Sequence, residues 1–247
     1  MILKNFLMSL QFLTIINIKN DTTIDEKSFR KTVIFFPLIG LLIGILLVVT
    51  SRLSSAILPL SISDAVVLIV LILITGGLHV DGFADAIDGF AGGKDKNDIL
   101  RIMKDSRIGT FGVVGIVMLL LTKYISIQSL QTDTKYLTLM TMPVLGRWSV
   151  LPMGLIFKYA RAEGGTGKAF AESVKLKEFI TGTIIAMTII LFTMKLKGIL
   201  MLSAIFTATL IIGRYSDKKI NGITGDVFGA TIEVNELIIV ILSLLLF

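Results

Sequence analysis

The chain has 247 residues, 54% hydrophobic and only 17% charged, with no cysteine, a single histidine (His79) and a net charge of +6. A soluble domain sits near 45–50% apolar and about 25% charged, and here the apolar residues gather into runs long enough to cross a bilayer at about 18–20 residues each. This composition excludes a soluble Rossmann enzyme, a β-sandwich, a disordered scaffold and any disulfide, thiol, iron–sulfur or multi-histidine site. The positive charge reads as membrane orientation, with no nucleic-acid partner.

The first apolar stretch, Phe6 to Ile16, is short and interrupted by Ser9, Gln11 and Thr14. It lacks a small-residue cleavage site, so an interfacial or re-entrant helix is expected and no cleavable signal. Predicted spans follow at Val33–Ser51, Ser63–Leu78, Thr110–Ile127, Tyr136–Phe157, Phe179–Met194, Gly198–Gly213 and Ile232–Phe247, with a tight hairpin at Lys195-Leu196-Lys197. The fold class is therefore all-α: a polytopic transmembrane helix bundle of about seven spans (six to eight), forming one domain over 1–247. Of the 24 Lys and Arg residues, 18 fall in one alternating set of loops. Five (Arg52, Lys135, Lys195, Lys197 and, near the end of the third span, Lys123) are counted with the other, and Arg147 lies inside a span. This bias predicts a cytoplasmic N-terminus, long loops on the cytoplasmic face and a multi-pass protein of the cell (inner) membrane.

The segment after the second span, His79-Val-Asp81-Gly-Phe-Ala-Asp85-Ala-Ile-Asp88-Gly89, carries three aspartates at i, i+4 and i+7. On a helix they fall on one stripe about 60° wide. Three like charges there repel one another, and acids near a membrane are functional candidates. A hard divalent cation would relieve the repulsion, and Mg²⁺ is the usual occupant where phosphates complete the coordination. The competing reading is a solvated helix end paired to Lys94, Lys96 or Arg101.

Next, Asn97 or Asp98 is expected to cap a short helix that places Arg101, Lys104 and Asp105 on one face. That face suits a phosphate, although internal pairing of Asp98 and Asp105 with Arg101 explains it too. The loop Tyr159-Ala-Arg161-Ala-Glu163-Gly-Gly-Thr-Gly167-Lys168-Ala169 fails the Walker pattern at Ala162 and Ala169, so it reads as a basic, anion-contacting loop and not as an NTPase site. Thr224-Gly225-Asp226 forms a further candidate substrate-binding turn. The acids at the start of the last span, Glu233 and Glu236, could bind substrate with that turn, and a helix cap plus solvated acids explains them equally well.

On Gly76-Gly-Leu-His79-Val-Asp81-Gly-Phe-Ala-Asp85-Ala-Ile-Asp88-Gly89, Ile102-Met-Lys104-Asp105-Ser-Arg107-Ile-Gly109-Thr-Phe-Gly112 and Thr224-Gly225-Asp226-Val-Phe-Gly229-Ala, the chain resembles the adenosylcobinamide-GDP ribazoletransferases, or cobalamin synthases. The early Gln11-Phe-Leu-Thr14 is similar too, and the likeness spans nearly the whole chain. The resemblance implies a Mg²⁺-dependent transfer joining adenosylcobinamide-GDP to α-ribazole, or its 5′-phosphate, with release of GMP.

The residues suit that chemistry. Metal ions would stabilise the attacking and leaving oxygens, with Asp81, Asp85 and Asp88 as ligands. Asp88 or Asp105 would take the hydroxyl proton. Arg101, Lys104, Arg107, Arg161 and Lys168 would meet phosphate charge, and His79 would orient a ligand carboxylate or serve the fold. Membrane lipid is an expected partner, and a homo-oligomer is left open.

A second reading is a CDP-alcohol phosphotransferase. Asp85-x-x-Asp88-Gly89 matches the start of that motif, but Gly92-Gly93 replace its Ala-Arg and its second acidic half is missing. A cation transporter is a third reading. Against it, the acids cluster at a span end, and no other predicted span carries a mid-bilayer acid.

Overall fold

A computed structural model describes residues 2–17, 30–161, 168 and 174–247. With no water in the bilayer core, the apolar runs satisfy their backbone groups internally, and among the described residues they all do so as helices. In chain order these are α1 (Ile2–Leu13), α2 (Phe36–Ser55), α3 (Leu60–Ile74), α4 (Leu78–Gly92), α5 (Lys96–Ile102) and α6 (Thr110–Gln128). Then come α7 (Thr132–Trp148), α8 (Val150–Ile156), α9 (Leu176–Met194), α10 (Lys197–Ile220) and α11 (Gly225–Leu246). Six described segments are long and apolar enough to cross a membrane, or seven if α3 and α4 count as one broken span. This agrees with an all-helical bundle of six to eight spans. At 12 residues, α1 is too short to cross.

The bundle is built around α7 and α8, the most deeply buried of the candidate spans. Helix α2 packs onto α7 through Gly40 and Gly44, where an added Cβ would strike the backbone of Pro143 and Met140. Small residues four apart let the two backbones touch, which is how helices associate where lipid supplies no hydrophobic drive.

The second predicted span differs. It ends at Ile74, and α4 departs at 87° to α3. Gly76 (φ 62°) and Gly77 (φ 71°) make the corner in the left-handed region that side chains disfavour. The backbone N–H of Ile15 donates to the Ile74 carbonyl at 2.8 Å, tying the end of α1 to this corner. The hairpin at Lys195 is as tight as expected, with φ 53° there.

Two expectations about charge are overturned. Helix α11 begins at Gly225, ahead of the predicted Ile232, because Thr224 caps it by accepting from the Val227 N–H at 3.3 Å. Glu233 and Glu236 therefore lie within the helix and are buried, so they are neither a cap nor solvated acids. Asp64, in the first turns of α3, is buried as well. Lys123 and Lys135, counted among the loops, are buried side chains of α6 and α7. Removing them from the minority set sharpens the charge asymmetry.

Candidate active site

All three aspartates of the stripe sit on α4, graded from solvent to interior: Asp81 is exposed, Asp85 half-buried and Asp88 buried. Gly82 faces α11, where an added Cβ would lie 3.2 Å from the Cα and carbonyl oxygen of Asp226. This close crossing brings Asp226, at the start of α11, into the field that Asp85 feels from Asp81 and Asp88. The acidic cluster thus draws on two helices.

Its counter-charge is Arg161, whose Nη2 donates to Asp226 Oδ2 at 2.8 Å. A parallel bridge between Tyr159 and Ile223 sets that contact up. In it, Ile223 N–H donates to Lys158 O at 2.8 Å and Ala160 N–H to Ile223 O at 2.9 Å. An added Cβ on Gly225, beside Asp226, would meet open space.

Asp88 plays a part that spacing does not reveal. Its Oδ2 accepts from the Gly109 N–H at 2.7 Å and its Oδ1 from the Gly112 N–H at 2.8 Å. Those amides belong to the start of α6, where an anion also meets the helix dipole. At both glycines an added Cβ would collide with the Asp88 carboxylate. By contrast, neither Asp81 nor Asp85 accepts a hydrogen bond among the described residues, which leaves their lone pairs open.

The basic segment after α4 is arranged differently from its expectation. Asp95, not Asn97 or Asp98, caps α5, its Oδ1 accepting from the amides of those two residues at 2.9 and 3.0 Å. The helix stops at Ile102, so Lys104 and Asp105 lie beyond it and share no helix face with Arg101. Arg101 pairs with Asp98, and Arg107 with Asp105 at 2.8 Å. Hydrogen bonds from the Arg107 side chain and then its backbone N–H hold the Asp105 carboxyl down to about 2, which makes it a weak proton acceptor near neutral pH. Lys104 is exposed and Lys168 partly buried, while most of the loop before and after Lys168 (162–167 and 169–173) lies outside the described residues.

His79 does not reach toward the aspartates. It is buried, and its Nδ1 lies 3.4 Å from Nη2 of Arg147. Arg147 also pairs with Glu236, and Lys123 Nζ bridges Glu233 at 2.7 Å and Glu236 at 2.8 Å. The sequence reading missed this network. Its signal was a lone Arg and a lone Lys inside apolar runs, which need buried partners.

Among the described residues no three Asp, Glu or His side chains stand close enough to enclose a metal ion unaided. An oxygen-only donor set with two open carboxylates still suits Mg²⁺, which commonly uses one or two carboxylates and completes its shell with water and substrate phosphate.

An all-helical, multi-pass membrane protein with a carboxylate cluster where two helices cross, faced by one arginine, is the class that fold and site define. The sequence matches the family described as Cobalamin-5-phosphate synthase over residues 5–244, and the chain belongs to that family. It is 39% identical over 247 residues to the adenosylcobinamide-GDP ribazoletransferase of Alkaliphilus oremlandii, covering 99% of this chain and 98% of that one. The protein of the same name from Alkaliphilus metalliredigens is 37% identical, covering 95% and 92%. That from Clostridium acetobutylicum is 35% identical, covering 94% and 92%. No solved structure matches the chain.

Proposed function

We propose that the chain catalyses the last assembly step of cobalamin synthesis, joining adenosylcobinamide-GDP to α-ribazole or its 5′-phosphate and releasing GMP. Family membership over residues 5–244 carries this reading. The site is chemically suited to it, with open carboxylates beside a cation. A ribose hydroxyl of the acceptor attacks the phosphorus attached to cobinamide. The new P–O bond replaces the anhydride bond, and GMP leaves with the anhydride oxygen.

Mg²⁺, bound to Asp81 and Asp85 together with the diphosphate, would offset charge on the attacking and leaving oxygens. The metal-free oxygen of Asp85, half-buried and accepting no hydrogen bond among the described residues, is our choice to take the hydroxyl proton. Asp88 holds the start of α6 against α4, and Asp105 is committed to Arg107. Arg161, on leaving its partner Asp226, would meet phosphate charge, with Lys104 and Lys168 as further candidates. The basic-residue asymmetry supports a cytoplasmic N-terminus and a site on the cytoplasmic side of the cell membrane.

The test is GMP release by purified protein from adenosylcobinamide-GDP and α-ribazole, with Mg²⁺ added or chelated. GMP formation that needs both substrates and the metal is expected. Turnover of a CDP-activated lipid instead would overturn the reading, and full activity in chelator would overturn the metal assignment.

A further inference from the structure

The buried network beneath the acidic cluster has no part in the chemistry above. Lys123, Glu233, Glu236, Arg147 and His79 are each at most 4% exposed and come from four helices: α6, α11, α7 and α4. Two cations face two carboxylates, and His79 Nδ1 lies 3.4 Å from Arg147 Nη2. Such a network contributes little net stability, because desolvation offsets the attraction and apolar residues of similar volume often do as well or better. Ionisable groups inside a membrane bundle point instead to function.

Its position indicates which function. Helices α4 and α11 cross on glycine: an added Cβ on Gly229 would lie 3.1 Å from the His79 carbonyl oxygen and 3.3 Å from Gly82 Cα. A glycine contact is close but smooth, and it fixes no angle about the helix axis. The His79 ring, two residues before Asp81, supplies a directional hold. It engages Arg147, which is itself anchored on Glu236 of the partner helix. Turning α4 by about 20° would carry a carboxylate at a radius of about 6 Å through roughly 2 Å. Misplacement of about 1 Å can cost on the order of 10²-fold in rate.

We infer that His79 and Arg147 are positioning residues: through Glu236 they set the rotation of α4 that aims Asp81 and Asp85 at the reacting phosphate. This rests on the proposed transfer reaction, so wild-type GMP release is measured first, and its absence would count against that reading alone.

With the wild type active, His79→Phe, His79→Gln and Arg147→Lys are purified in detergent and compared per folded molecule, by size exclusion and by melting monitored through Trp148. Gln keeps an acceptor for Arg147. Lys keeps the charge but lacks a fork to reach both Glu236 and His79. The expected result is a kcat at least tenfold lower for His79→Phe and Arg147→Lys, with each substrate's KM within about twofold of wild type, and substantial recovery in His79→Gln. Three results overturn the inference: kcat unchanged in His79→Phe, a loss that His79→Gln does not relieve, or loss of folded protein in every variant that breaks the contact. The last would make the network a support of the fold alone.

Discussion

Replacing Asp88 by Asn separates two roles that spacing alone assigns to all three aspartates. Asp88 gives one oxygen to Gly109 N–H at 2.7 Å and the other to Gly112 N–H at 2.8 Å, in a buried setting. A carboxamide has one acceptor oxygen, so Asn keeps one of these bonds and turns its own NH₂ toward the other amide. Losing a charge-assisted hydrogen bond costs about 1.5–3 kcal/mol. Removing the anion from the helix N-terminus adds up to about 2 kcal/mol in a partly buried site. Together they amount to about 1.5–5 kcal/mol.

At about 2–4 °C per kcal/mol for a chain of this size, Asp88→Asn should melt roughly 3–20 °C below wild type. The assay is thermal melting in detergent followed through Trp148, the one tryptophan, which is 1% exposed. Asp81→Asn is the matched control, because Asp81 is exposed and accepts no hydrogen bond among the described residues. If Asp88→Asn melts with the wild type, or no lower than the control, the capping role assigned to Asp88 is wrong.

Asp81→Asn and Asp85→Asn should lower GMP release by about 10²-fold or more, equivalent to about 2.7 kcal/mol of transition-state stabilisation, while the protein stays folded. Near wild-type turnover in both would remove them from the chemistry. The Asp105 carboxyl, depressed to about 2 by Arg107, is charged above the ordinary carboxylate range and loses its proton-linked contribution only as pH falls toward 2. Asp105→Asn should therefore leave the shape of the pH–rate profile between about pH 5 and 9 unchanged, and loss of a limb would reinstate Asp105 as the base. For topology, reporters fused at Lys94, Lys168 and Lys219 should read cytoplasm and one at Gln131 the outside. Agreement between Lys94 and Gln131 would refute the span order.

Apolar run length made the bundle legible, since a bilayer admits few ways to satisfy a buried backbone. The i, i+4, i+7 spacing likewise placed Asp81, Asp85 and Asp88 on one helix. What escaped depends on contacts between segments far apart in sequence. Asp88 caps a helix that begins at residue 110, and nothing local marks it apart from Asp85. Glu233 and Glu236 look like a polar helix end because hydropathy counts their charge, while Lys123 and Arg147, which compensate it, come from other helices. Gly82 stands beside Asp81 in the sequence, but its partner, the crossing with α11 at Asp226 and Gly229, is a tertiary fact.

The molecule treats its buried charges in two ways, and a second ion pair exposes the distinction. Lys135 Nζ donates to Asp64 Oδ1 at 2.9 Å and Oδ2 at 2.7 Å, both side chains being buried. The pair joins α7 to the first turns of α3, at the end of α3 opposite the glycine corner. No member of the acidic cluster touches it, so it has a fold to hold and no angle at the site to set. Lys135→Met alone strands a buried carboxylate and should cost about 3–5 kcal/mol, whereas Asp64→Leu with Lys135→Met removes both charges and should be nearly neutral. Melting of the single and double variants reads this directly, and GMP release per folded molecule should stay at the wild-type level in the double. A harmless single variant would show that water reaches the pair. A stable but inactive double variant would show that the two ends of α3 are coupled, and the separation drawn between structural and positioning charges would then fail.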